Sequence, residues 1–506
     1  MDDQESNQLY QSLWYGRGKK QKEKFIKDLN IYEVFLEINC TKTIIGSQYL
    51  FHTLCNPVSS SKDLNILERE IEYFEENKQL KDAFNSSCAK IKNPNTYLLP
   101  ELFFSEKLVP PKYFKIAPYL LGIELLLFVL SYFSLTMLAV LLPLLFVNTF
   151  IHLVNKSRLY LFKRTYLPVS ELLESVKMMK GKDGRKMFYN DDTEKAVSAL
   201  SPLRVKLIIL GIADYFSSSE MFMIPFVLIE IVKTVTLFEV LLTKNLVMAF
   251  NERKQEIKLL YEVTGKVDSV NSIATLRNSL ELWCKPIFLN NAEKSCHVEN
   301  VYHPLIDNPE KNSICLSGKS IIIAGSNMSG KTTFLRTIAI NNVLAQTINT
   351  CLAGRFEVPF LKTVTSLHNL DSIIEGESFY FAEANNLLNL IRPEGSVKAL
   401  IVLDEIFKGT NSLERTAISK ATLDYLHNNC GIVFASTHDM SLINLVNTNY
   451  EPYHFNEVLD GSKIVLDYKI KKGKLYVFNA IKTLTNMGFP ELLTRDAQST
   501  FDVLKQ

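Results

Sequence analysis

The residues whose spacing is most specific for chemistry run from Gly325 to Thr332, Gly-Ser-Asn-Met-Ser-Gly-Lys-Thr. The pattern GxxxxGK[ST] is that of a phosphate-binding loop. Glycine at 325 and 330 lets the backbone turn tightly, so that its N–H groups can face phosphate oxygens. Ser326, Asn327, Met328 and Ser329 supply the rest of that cradle, with Thr333 just beyond it. Lys331 is placed to reach the β- and γ-phosphates of ATP, and the Thr332 hydroxyl to ligate Mg²⁺. The helix expected to open at Lys331 adds the positive end of its dipole.

A second group lies 73 residues after Lys331, at Asp404-Glu405. An acidic pair closing a buried strand fits a Mg²⁺-holding carboxylate, Asp404, and a general base for the attacking water, Glu405. A third lies at Thr437-His438-Asp439. A lone histidine is usually structural. His438, however, follows an apolar run at the carboxyl end of an expected parallel strand, where open α/β sheets bind ligands. It is expected to sense the γ-phosphate or orient water. His303, His368, His427 and His454 have no comparable setting and read as structural.

The elements that must position these groups are legible. Ile321–Ala324, Ala399–Leu403 and Gly431–Ser436 are short unbroken apolar runs, as parallel strands buried on both faces require. Thr333 to Gln346 reads as the helix after the loop. Strand, loop and helix in that order are the context the motif needs.

The rest of the chain differs. Residues 1–30 are polar, with Lys19, Lys20, Lys22 and Lys24, and read as a solvated lead-in with no signal-peptide pattern. Residues 31–116 carry apolar positions at helical spacing. Residues 117–154 are 38 residues with one formal charge, Glu124. A single span needs about 20 apolar residues, so a hairpin of two fits. Lys112 and Lys115 before it, and Lys156, Arg158, Lys163 and Arg164 after it, place both ends on the cytoplasmic side. A turn at Ser131–Ser134 leaves the first arm short. The alternative is a helix pair buried in protein. Residues 155–284 return to helical, soluble character, except that 219–250 are apolar but interrupted by Glu230, Lys233, Glu239 and Lys244. A long helix, packed or lying at a membrane interface, suits that stretch.

Composition adds bounds. With 56 basic and 54 acidic residues the net charge is +2, which gives no global attraction to nucleic acid or membrane. The eight cysteines form no CxxC pair, so zinc and disulfides are disfavoured, and free thiols in a reducing compartment are expected.

Taken together, these stretches resemble the MutS family of DNA mismatch repair ATPases. GSNMSGKTT is similar to its phosphate loop, LDEIFKGTNSLE to its extended acidic strand, and FASTHDMSL to its switch-histidine segment. Glu377-Ser378-Phe379 with Glu383 resembles its serine-bearing signature, and Tyr302-His303-Pro304-Leu305 the opening of its ATPase domain. More loosely, TIIGSQYLFHTLCNP with LNILEREIEYF, and VTGKVDSVNSIATL, are similar to its helical core.

The resemblance implies an α/β P-loop NTPase of the ABC/MutS type over 285–506. It also implies an all-α core- or lever-like N-terminal part over 31–116 and 155–284, interrupted by the hairpin. It implies ATP, Mg²⁺ and a homodimer in which Ser378 acts in trans. There is no room before residue 31 for a mismatch-recognition or connector domain, and Phe35-Leu36-Glu37 reads as a chance match to a mismatch reader. The expectation is thus a nucleotide-switched dimeric clamp on DNA. The alternative is a membrane-anchored ATP switch acting on a protein or membrane partner, with little DNA binding. The membrane reading places the chain at the cytoplasmic face of the inner membrane, as in the membrane-associated MutS-related proteins it resembles. An ABC transporter is disfavoured because Glu377-Ser378-Phe379 is not an LSGGQ-like signature.

Overall fold

The computed structural model describes residues 19–58, 60–104, 111–158, 164–180, 187–209, 231–289, 294–325, 329–367, 379–391, 398–407, 411–460, 463–474, 481, 484–485 and 488–504. These begin with helices α1 (Lys19–Leu29), α2 (Ile31–Ile38), α3 (Ile44–Cys55), α4 (Ser61–Glu76) and α5 (Lys78–Cys88). The helical part continues with α6 (Tyr113–Ser131), α7 (Leu135–Arg158), α8 (Tyr166–Met178), α9 (Asp191–Leu200), α10 (Phe238–Glu252) and α11 (Lys254–Ser279). The α/β part follows: β1 (Ile287–Leu289), β2 (Ser295–Val301), β3 (Asn312–Ser317), β4 (Ser320–Ala324), α12 (Lys331–Ile348), β5 (Arg355–Pro359), β6 (Lys362–Ser366), α13 (Phe379–Ile391), β7 (Ala399–Asp404), α14 (Ser412–Asn429), β8 (Gly431–Thr437), α15 (Met440–Leu445), β9 (Tyr450–Asp460), β10 (Lys463–Lys472) and α16 (Glu491–Leu504).

The chain divides into two compact units. One is built from Cys40–His52 and Glu70–Ala274, the other from Gly18–Asn39, Thr53–Arg69 and Thr275–Gln506.

In the first unit, Asp268 is buried and accepts from Lys42 N, Thr43 N and Thr43 Oγ1 at 2.9, 2.8 and 2.7 Å. These bonds satisfy backbone donors at the start of α3, which otherwise lack partners. Gly46 is required beside them, because a Cβ there would stand 2.2 Å from Asp268 Oδ2.

The apolar hairpin is α6 and α7, with the turn at Tyr132–Ser134. Because α6 starts at Tyr113, ahead of the apolar run, the first arm is 19 residues and is not short. Both helices are long and apolar enough to cross a membrane by length and composition. Among the described residues, only 17% and 24% of the two apolar windows are buried. Phe128, Tyr132, Phe133, Phe146 and Phe150 are exposed, while Glu124, Asn148 and His152 are buried. The Asn148 amide donates to the Val235 carbonyl at 3.3 Å.

The stretch 219–250 is described only from 231. There it is not one long helix. It breaks at Leu237, fully buried with φ of 47°, between helical residues 231–236 and α10. Tertiary packing holds this leucine in a backbone region that ordinarily favours glycine.

In the second unit, a six-stranded sheet has the order β10-β9-β4-β8-β7-β6, with β10 antiparallel and the others parallel. A four-stranded sheet has the order β1-β5-β2-β3. Strands β4 and β8 are buried at every position, as their apolar runs require. Helix α12 is buried over nearly its whole length, and its polar residues are paired inside. Asn342 Nδ2 donates to Leu361 O at 3.0 Å and Thr363 Oγ1 at 2.8 Å, and Gln346 Nε2 to Leu361 O at 2.8 Å. Such pairing offsets the cost of burying an amide.

The packed structure starts earlier than the polar composition of 1–30 suggests. Asp28 and Leu29 at the end of α1 are buried. Asp28 Oδ2 accepts from Thr365 Oγ1 at 2.8 Å, and Lys24 Nζ donates to Asn386 Oδ1 at 3.2 Å. The first helix thus braces β6 and α13.

Candidate nucleotide-binding site

Strand register gathers the candidate residues. β8 lies between β4 and β7, with Ala324 paired to Thr437 and Asp404 paired to Ser436. The phosphate loop, the acidic pair and the histidine therefore leave three neighbouring strands at one end. This is the carboxyl end of the parallel sheet, where such folds bind ligands.

Gly325 and Gly330 adopt φ of 151° and 105°, a backbone region disfavoured for residues with a Cβ. A Cβ on Gly325 would also stand 2.7 Å from Ser329 Oγ. Gly330 caps α12, and Lys331 opens it with its side chain buried. Lys331 Nζ donates to the Gly325 carbonyl at 2.8 Å, which folds the cation back over the loop. Thr333 lies in the first turn of that helix. Ser326, Asn327, Met328 and Ser378 lie outside the described residues, as do Glu377 and Lys408–Thr410.

Thr332 Oγ1 donates to Asp404 Oδ2 at 2.7 Å. The other carboxylate oxygen, Oδ1, accepts from Ser436 Oγ, which in turn accepts from Glu405 N at 3.3 Å. Two hard oxygen groups, a hydroxyl and a carboxylate, thus meet next to the lysine. That donor set suits Mg²⁺, which takes one or two protein oxygens and completes its shell with phosphate and water.

His438 Nε2 pairs closely with Glu405 Oε1 and lies 3.5 Å from Lys331 Nζ. A single ring nitrogen cannot both donate to a carboxylate and accept from an ammonium. The shorter contact decides: Nε2 carries the hydrogen and gives it to Glu405. Glu405 and Phe407 both have positive φ, 47° and 59°. Strained backbone of this kind costs about 1–3 kcal/mol per residue and clusters at functional sites. A cavity of about 30 Å³ lies beside them, lined by Glu383, Asn386, Asp404 and Glu405 among others. It is large enough for a water molecule.

Sequence reasoning did not single out Ser436, Asp439 or Tyr468. Ser436 is one residue from the end of β8, where register alone aligns it with Asp404. Asp439 accepts from Ser441 N at 2.9 Å and from Thr416 Oγ1, fixing the chain just after His438. The Tyr468 ring would lie 3.3 Å from a Cβ on Gly330, a proximity no local pattern signals.

The other histidines have structural partners. His427 Nδ1 lies 2.9 Å from Ser320 Oγ, and His454 Nδ1 lies 3.0 Å from Gly473 O. His303 Nδ1 accepts from Leu305 N at 3.2 Å. Burial, aided by the Arg336 charge, depresses its pKa to about 4, so it is neutral at pH 7. His368 lies outside the described residues.

Residues 321–505 match the family model of MutS domain V, and this span contains every nominated site residue. The chain is 26% identical over 255 residues to the DNA mismatch repair protein MutS of Natronomonas pharaonis, covering 48% of this chain and 29% of that protein. It is 28% identical over 264 residues to MutS of Fusobacterium nucleatum, covering 47% and 29%. Against the DNA mismatch repair protein MSH3 of Phaeosphaeria nodorum it is 27% identical over 270 residues, covering 50% and 24%. The chain thus spans less than a third of the length of these relatives. Residues 321–505 thus match MutS domain V, and the chain is similar to MutS-family proteins over about half its length.

Proposed function

We propose that this protein binds and hydrolyses ATP and uses the cycle to switch a dimer between two states. One observation carries the reading: Lys331, Thr332, Asp404, Glu405 and His438 converge at the ends of β4, β7 and β8. Lys331 supplies the cation for the β- and γ-phosphates. Glu405 takes the proton of the attacking water, and His438 holds its carboxylate in place. Mg²⁺, held by Thr332 and Asp404, neutralises phosphate charge when bound. As in the family the chain resembles, Ser378 from a second copy completes the site in trans.

The relatives are named for DNA mismatch repair, which supports a DNA clamp as the output. A different observation favours a membrane-anchored switch. α6 and α7 expose apolar side chains and bury Glu124, Asn148 and His152, the inverse of a water-exposed hairpin. In that second reading the hairpin holds the ATPase at the cytoplasmic face of the inner membrane, and little DNA is bound.

The first test is nucleotide affinity. Lys331→Ala is expected to weaken ATP binding at least tenfold, since charge-assisted hydrogen bonds contribute about 1.5–3 kcal/mol. An unchanged dissociation constant removes the proposal. DNA binding titrated with salt then separates the outputs. A logarithm of affinity that falls linearly with log salt supports the clamp. No binding with ATP present leaves the membrane switch alone.

A further inference from the structure

Cys284 and Cys351 form an isolated antiparallel bridge outside both sheets. Each donates its backbone N–H to the other's carbonyl, at 3.0 and 2.9 Å. Residues that exchange both hydrogen bonds stand about 5.5 Å apart at Cα. A disulfide bridges roughly 4.4–6.8 Å. Both thiols are free.

The two thiols sit in different surroundings. Cys351 is fully buried and also lies 3.8 Å from the Asn341 carbonyl, to which it can donate. Cys284 is half-buried. The neighbouring Cys351 pulls the Cys284 thiol below its ordinary pKa, against the effect of burial. Burial pushes Cys351 well up. One half-buried thiol is biased toward thiolate, and its hidden partner stays protonated. Arg277 packs nearby with its charge paired to Glu68: it stacks over Trp283 at 4.6 Å and donates to Thr350 Oγ1 at 3.0 Å and to the Asn349 carbonyl at 3.0 Å.

We propose that Cys284 and Cys351 are an oxidation-sensitive dithiol, which a hydroperoxide converts to a disulfide. The Cys284 thiolate attacks the terminal peroxide oxygen. The S–O bond forms, the O–O bond breaks, and the departing alkoxide or hydroxide takes a proton. The Cys351 sulfur then attacks the sulfenic sulfur of Cys284. The S–S bond forms, the S–O bond breaks, and hydroxyl leaves with the Cys351 proton as water. The two thiols lose two electrons, and the peroxide is reduced to an alcohol, or water, plus water. In a reducing compartment the pair rests as the dithiol and responds when oxidant rises. The bond closes the chain from residue 284 to 351, which contains the phosphate loop and α12. Oxidation therefore covalently encloses the nucleotide-binding segment.

The test uses the full chain, treated with hydrogen peroxide under native conditions and alkylated before digestion. The expected product is a Cys284–Cys351 cross-linked peptide that dithiothreitol releases. The thermal midpoint is expected to rise by roughly 5 °C, since a disulfide closing a long loop without strain restricts the unfolded chain. In Cys351→Ser, Cys284 is expected to stop at the sulfenic acid and be trapped by dimedone. Absence of the cross-link in the unsubstituted chain overturns the proposal. So does a cross-link that lowers the thermal midpoint, because closure then strains the backbone.

Discussion

Thr332 donates its hydroxyl hydrogen to Asp404 Oδ2 at 2.7 Å, joining the first turn of α12 to the end of β7. The phosphate loop and the acidic strand, 73 residues apart in sequence between Lys331 and Asp404, are held as one unit by this bond. Ser436 on the strand between them completes it through the other carboxylate oxygen.

Ser436→Ala tests that unit. It removes the partner of Asp404 Oδ1 and the acceptor of Glu405 N together. Leaving such groups unpaired costs about 1–3 kcal/mol. We expect Mg²⁺-dependent ATP turnover to fall about tenfold with the fold intact. Turnover measured across a magnesium titration checks this; an unchanged curve contradicts it.

Gly330→Ala tests the loop. With φ of 105° and the Tyr468 ring close by, alanine is strained whichever way it relaxes. The helix after the loop has its own packing, so circular dichroism is expected to change little. Nucleotide affinity is expected to drop at least tenfold, for about 1–3 kcal/mol of strain placed in the bound loop. Wild-type affinity in a folded variant contradicts the reading.

Glu68 makes a pH prediction. Burial alone raises a carboxyl pKa, but hydrogen bonds from Arg277 and Lys285 outweigh it and hold Glu68 at about 2. The folded value lies below the unfolded one. Its stabilisation is therefore full above the unfolded value of 4.5 and is lost as pH falls toward 2. At neutral pH it amounts to at most about 3 kcal/mol. Urea unfolding of Glu68→Gln should show its deficit at pH 7 and lose it as pH falls from 4.5 toward 2. A deficit that does not change with pH rules out the charge pairing.

The hairpin predicts sedimentation. The full chain is expected with the membrane fraction, and a chain lacking 117–154 in the soluble fraction. Unsubstituted protein found wholly in the soluble fraction refutes the anchor.

The site was legible where its chemistry is local. Glycines, lysine and threonine in one octamer announce a phosphate loop because one tight turn must do all the work. Buried parallel strands announce themselves as apolar runs. What stayed hidden depends on register or long-range packing. Ser436 matters only because β8 sets it opposite Asp404. Asp28 is buried against Thr365, 337 positions away, and looks like any charged residue in a polar lead-in. Cys284 and Cys351 meet through one bridge outside any strand pattern, so spacing rules could not find them. The break at Leu237 is likewise imposed by packing on a sequence that reads as continuous helix.

The central claim is that Glu405, held by His438, activates the attacking water. Steady-state hydrolysis and ATP affinity measured together on Glu405→Gln test it most directly. The expected result is wild-type ATP affinity with turnover reduced at least a hundredfold, about the range contributed by a positioned general base. Turnover at the wild-type rate, with ATP still bound, would contradict it.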